Sequence, residues 1–216
     1  AKIGGAPANF AYHCRQNGLE SIAISSVGHD ELGFRARDLL AARYLPALLI
    51  DNDKVTGAVN VSLSADGVPT YTFVEDTAYD NIPLTESALE VARNLDILCF
   101  GTLAQRGAVT HNTVMKLLES LPQDAIGIYD VNLRREYYSK QIIDDSVRHS
   151  RILKCNEDEL PVLCRFAGLA NADAKVYFEY LRNLGVDCLI FTEGAEQSTV
   201  YLNDEISVMP TPKVNV

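Results

Sequence analysis

Ile3-Gly4-Gly5-Ala6-Pro7-Ala8-Asn9, followed by Val27-Gly28-His29-Asp30-Glu31-Leu32-Gly33, decides the fold of this chain. The first stretch joins a glycine-rich loop to a helix start, and the second joins a strand to another helix start. Such junctions belong to a ligand-binding α/β domain. Adjacent glycines let the backbone approach a ligand closely because no Cβ intervenes, and Pro7 carries the backbone angle of a first helical turn. Asn9 then falls in that turn, beside amide groups with no partner inside the helix. An ordinary bend before a helix uses the same residues, so Gly4-Gly5 alone does not separate a site from a turn.

Outward from this point, apolar runs rich in β-branched residues alternate with segments of helical period, which predicts βα units and a mostly parallel sheet flanked by helices. The strands are expected at 21–27, 96–100, 125–130, 152–155 and 188–192. Helices are expected at 7–17, 31–41, 85–94, 109–121, 140–149, 158–166 and 173–184, with Gly18 and Gly185 where helix C-caps belong. One stretch breaks the rhythm: 58–64 and 68–74 alternate in character around Ala65-Asp66-Gly67 and predict a β-hairpin. This gives a main α/β domain of residues 1–46 and 75–216 and a small β-lid at 47–74, also suited to pairing two copies; an extra edge hairpin on the main sheet is the other arrangement. The helix ending near Ala42 runs into Arg43-Tyr44-Leu45-Pro46 without a Gly, Asn or Asp turn, which leads us to expect residues missing from the sequence there.

Composition excludes several classes. A net charge of −10 disfavours nucleic acid and anionic membranes as partners. No apolar run reaches the roughly 18 to 20 residues of a membrane span, and no charged-then-apolar leader opens the chain, so a cytoplasmic protein is expected. The five cysteines form no C-x-x-C pair and are expected to be reduced. Four scattered histidines lack metal-ligand spacing, and neither a P-loop nor a G-x-G-x-x-G loop is present.

Polar residues collect just after predicted strands, at the carboxyl ends where open parallel sheets bind ligands. Gln105 and Arg106 follow one strand as candidate contacts, although an exposed helix-start arginine is also ordinary. Asp130, Asn132 and Arg134 follow the next; the planar guanidinium of Arg134 suits a phosphate or carboxylate, and a loop-stabilising hydrogen-bond set is the alternative. Asn156-Glu157-Asp158-Glu159 opens a helix, where acidic groups also serve as caps. Thr192-Glu193-Gly194-Ala195 follows the last strand.

Taken in order, Gly4-Gly5 with Asn9, Val27-Gly28-x-Asp30-x-x-Gly33, Thr56-Gly57, Asp130-x-Asn132-x-Arg134, Asn156-x-x-Glu159 and Thr192-x-Gly194-Ala195 resemble the motifs of ribokinase-like (PfkB family) sugar kinases. The likeness covers essentially the whole chain, and 100–106 with 129–134 looks most like the fructokinase branch. The resemblance implies a ribokinase-like α/β fold with a β-lid and transfer of the ATP γ-phosphoryl group to a sugar hydroxyl, with Mg2+. It places Gly4, Gly5, Asn9, Gln105, Arg106, Asn132 and Arg134 at the sugar, and Asn156, Glu159, Thr192 and Gly194 at ATP, with Glu159 serving magnesium through water. A homodimer through the lid is implied as well. A Gly is usual where Gln197 stands, and the Gly-Ala-Gly-Asp motif carrying the anion hole and catalytic base is expected beyond Val216, so the polypeptide alone is expected to be inactive. Two other readings are a non-catalytic sugar-binding or dimerising domain and a nucleoside kinase of the same superfamily. The Gln105-Arg106 pair, polar rather than aromatic, disfavours the nucleoside.

Overall fold

A computed structural model describes residues 4–63 and 69–213, which divide into two units. One comprises the described residues up to Leu89 with Gly107–Thr113; the other comprises Glu90–Arg106 and the described residues from Val114 onward.

In the first unit, α1 (Ala6–Gln16) starts at Gly5, whose φ of 110° lies where side-chain-bearing residues are strained. β1 (Ala23–Gly28), α2 (Glu31–Ala41) and β2 (Ala47–Asn52) form a βαβ unit with β1 and β2 parallel, from Ala23 opposite Ala47 to Gly28 opposite Asn52. Its small core holds Ala11, Ala23, Leu40 and Leu45. Asp30 caps α2: one carboxylate oxygen accepts from Gly33 N at 2.8 Å, and the other accepts from Thr56 N at 2.7 Å. Thr56 returns the tie by accepting from Gly28 N at 2.9 Å through its hydroxyl. These bonds, led by the one from Thr56, hold the Asp30 carboxyl below its ordinary range. A Cβ on Gly33 would stand 2.2 Å from Gly28 O, so the motif glycines are required by close backbone packing.

The connection after α2 needs no extra residues. Leu45 N donates to Leu40 O and Tyr44 N to Ala41 O at 3.1 and 2.9 Å, a Schellman closure with Tyr44 in the left-handed position at φ 52°. β3 (Val59–Leu63) and β4 (Pro69–Phe73) form the expected antiparallel hairpin, while its turn, Ala65-Asp66-Gly67, lies outside the described residues. The stretch 47–52, expected to begin the lid, is instead β2 beside β1.

The second unit is built on a six-stranded sheet of order β10-β9-β8-β7-β6-β5. It contains β5 (Ile97–Gly101), β6 (Ile126–Asp130), β7 (Ile152–Asn156) and β8 (Cys188–Glu193), all parallel. β9 (Gln197–Leu202) and β10 (Glu205–Pro210) add antiparallel strands that the sequence reading did not anticipate. Every residue of β10 is exposed, including Ile206, Val208 and Met209.

All seven expected helices are present among the described residues. The remaining five are α3 (Glu86–Ala92), α4 (Ala108–Glu119), α5 (Lys140–Arg148), α6 (Leu160–Ala167) and α7 (Ala174–Arg182). Tyr129, Leu153, Leu181 and Leu189 are fully buried in the core between sheet and helices. Strand register sets Gly101 opposite Asp130, Asp130 opposite Lys154 and Asn156 opposite Thr192, so the carboxyl ends of four parallel strands share one edge.

Candidate functional site

Three of the expected nucleotide residues meet at the carboxyl edge of the second unit. Asn156, Thr192 and Gly194 line a cavity of about 460 Å³, together with Glu157, Asp158, Ser198 and the segment Met209–Pro212. The position follows from topology, because parallel strands aim their carboxyl ends and the following loops at one rim. Asn156 shapes the rim: its side-chain oxygen accepts from Asp158 N at 3.0 Å and Glu159 N at 2.9 Å, closing an Asx turn ahead of α6. Gly194 adopts φ 48°, and a Cβ there would stand 2.9 Å from Glu157 Oε1. Gln197, where a glycine was expected, opens β9 and donates to Glu193 Oε2 at 2.7 Å, bracing that turn from across the strands.

Glu159 ties two backbone amides together. It is only 4% exposed, with Oε1 accepting from Leu133 N at 2.9 Å and Oε2 from Asn156 N at 3.0 Å. Burial pushes its carboxyl above the usual range, while the two backbone donors and the Lys154 charge pull it back. The carboxylate therefore clips the loop after β6 to the end of β7. Each oxygen keeps a further lone pair, and among the described residues no group of three or more His, Cys, Asp or Glu could hold an ion.

The loop after β6 carries Asn132 at φ 43° and the exposed Arg134, whose Nη1 donates to Leu133 O at 3.0 Å. Lys154, which the sequence reading passed over, sits with Nζ 3.2 Å from Asp130 Oδ1. A lysine between buried Leu153 and Cys155 in a parallel strand was the signal available.

Gln105 departs from its expected role. It is 1% exposed, and its amide nitrogen donates to Gly101 O at 2.9 Å and Ser146 Oγ at 3.0 Å, so it ties the end of β5 to α5 rather than offering itself to a ligand. Arg106 stacks its guanidinium 4.4 Å from the ring centre of Tyr137. Gly4, Gly5 and Asn9 belong to the other unit. There Gly5 and Asn9 are exposed at the start of α1, linked by Asn9 N donating to Gly5 O at 3.0 Å.

Comparison with known proteins bears on these features. The family model for pfkB family carbohydrate kinases matches residues 1–216. The chain belongs to this family.

Among PfkB relatives, an uncharacterized sugar kinase of Pyrococcus horikoshii is 28% identical over 165 residues, covering 73% of this chain and 53% of that protein. An aminoimidazole riboside kinase of Salmonella typhimurium is 25% identical over 222 residues, covering 99% of this chain and 67% of the relative. The crystal structure of a fructokinase from Xylella fastidiosa superposes with a TM-score of 0.85 at 19% identity, covering 99% of this chain and 67% of that one. The ribokinase-like α/β fold is thereby shown, with this PfkB chain spanning about half to two thirds of the lengths of the curated relatives it matches. No described helix is long and apolar enough to cross a membrane.

Proposed function

We propose that the protein is an ATP-dependent sugar kinase that transfers the γ-phosphoryl group to a hydroxyl of fructose or a related hexose. The observation that carries this reading is the cavity at the ends of β7 and β8, where Asn156, Thr192 and Gly194 come together. Phosphoryl transfer rests on positioning and on stabilising spread negative charge, and a rim of polar side chains and turn amides suits the donor nucleotide. Gly4, Gly5 and Asn9 would take sugar hydroxyls, the amide of Asn9 both donating and accepting. A divalent ion would enter with the nucleotide phosphates, since the described residues form no cage for one.

Isothermal titration calorimetry with ATP tests the reading. The chain is expected to bind ATP saturably, and Asn156→Ala is expected to weaken binding by about tenfold, the equivalent of one good hydrogen bond. Absence of any ATP binding would overturn it. A riboside acceptor is a second reading, favoured by the 25% identity to the Salmonella enzyme over 222 residues. Parallel titrations with fructose and aminoimidazole riboside, repeated on Asn9→Ala, distinguish the two acceptors.

A further inference from the structure

We infer that Lys154 is a positioning residue for the candidate nucleotide site: its ion pair with Asp130 holds in place the loop after β6, which Glu159 ties to Asn156 on the cavity rim. The inference rests on the ATP-binding reading above and adds a residue to it.

Lys154 lies in β7 directly opposite Asp130, the last residue of β6. Its Nζ is 3.2 Å from Asp130 Oδ1, an oxygen shielded from solvent and without a hydrogen bond of good geometry. Both side chains are partly withdrawn from water, Lys154 at 33% and Asp130 at 28% exposure. A shielded carboxylate oxygen needs a compensating charge, and the ammonium supplies it. The same residue grips the chain one position further on, because Lys154 O accepts from Val131 N at 3.0 Å. Asn132 follows immediately, at φ 43°. Asparagine tolerates this left-handed conformation, and the bonds on either side fix it here. On the far side of Asn132, Leu133 N is held by Glu159 Oε1 at 2.9 Å, and the other oxygen of Glu159 holds Asn156 N at 3.0 Å on the cavity rim. Asn132 is thus bracketed by two grips from Lys154 and one from Glu159. Without the ammonium, Asp130 Oδ1 loses its partner, and the end of β6 relaxes by turning that carboxylate toward water, releasing the loop.

Calorimetric ATP titration and amide hydrogen exchange of Lys154→Met, Lys154→Arg and Asp130→Asn test this. Lys154→Met is expected to weaken ATP binding about tenfold and Asp130→Asn about threefold in the same direction, as a cut partly buried ion pair should. Both should speed exchange of the Leu133 amide while β8 amides stay protected, and Lys154→Arg should restore both readouts. A lysine that touched the phosphates directly would be freed by Asp130→Asn. Unchanged or tighter ATP binding in Asp130→Asn with normal Leu133 exchange therefore overturns the inference. If the wild-type chain binds no ATP, the kinase reading fails, while Leu133 exchange still decides the positioning role: unchanged in Lys154→Met it is refuted, faster it stands. Should Lys154→Met fail to fold, Asp130→Asn and Lys154→Arg carry the same comparison.

Discussion

Several carboxylates among the described residues act on backbone amides. Glu159 is the clearest case, one carboxylate serving Leu133 N in the loop after β6 and Asn156 N at the end of β7. Glu159→Gln turns an amide NH2 toward one of those donors, and leaving a buried donor unmet costs about 1–3 kcal/mol. Urea denaturation should register that loss, and ATP binding should weaken along with it. Asp30 does the same work at the start of α2, with its carboxyl held below the ordinary range by Thr56 N first and by Gly33 N. A lowered native pKa means that the contribution is present above the unfolded value and disappears as pH falls through the native one. Asp30→Asn should therefore flatten the acid limb of stability below about pH 4, near the unfolded carboxylate value, when denaturation midpoints are compared between mildly and strongly acidic buffers. Gln105 marks the limit of sequence reading at this scale. A polar residue following a strand looks the same on paper whether it faces a ligand or, as here, Ser146 in the interior.

At the scale of elements, periodicity carried most of the fold, because five parallel strands and seven helices each have a buried face that imposes its period on the residues. β2 is hard to read because Ala47–Asn52 is a short apolar run with no helix between it and the hairpin. β9 and β10 did carry a signal, alternating Ser-Thr-Val-Tyr and Ile-Ser-Val-Met around Asn203-Asp204. Both lie beyond the last parallel strand, where the alternation of strand and helix stops. The abrupt end of α2 looked like a gap because no turn residue stands there, yet the backbone bonds close without one. Tyr44 takes the left-handed position usually given to glycine and is 83% exposed, so its ring has little packing to lose. Tyr44→Gly should raise stability by about 0.5–1 kcal/mol, the relief of a strained angle less the added freedom of the unfolded chain. Chemical denaturation with an unchanged m-value is the check.

For the whole molecule, the candidate residues divide between the units: Gly4, Gly5 and Asn9 in one, Asn132, Asn156, Thr192 and Gly194 in the other. ATP at about 100 times its dissociation constant should add about 2.7 kcal/mol of stability by mass action. Under hydrogen exchange the first protection should fall on the amides of 156–159 and 192–196, with little change at Gly28, Gly33 and Thr56. Protection in the opposite pattern would move the nucleotide site to the other unit.

The bare flank of β10 has a practical consequence for handling the protein. Among the described residues β10 ends its sheet, and its six exposed residues, with Ile206, Val208 and Met209 among them, offer this polypeptide a strand on which copies can stack in concentrated solution. Mutual repulsion from a net charge of −10 keeps copies apart at low ionic strength, and salt weakens that repulsion. Light scattering should rise as salt is added, and Val208→Lys, placing a charge midway along the strand, should keep the sample clear at concentrations where the parent turns turbid.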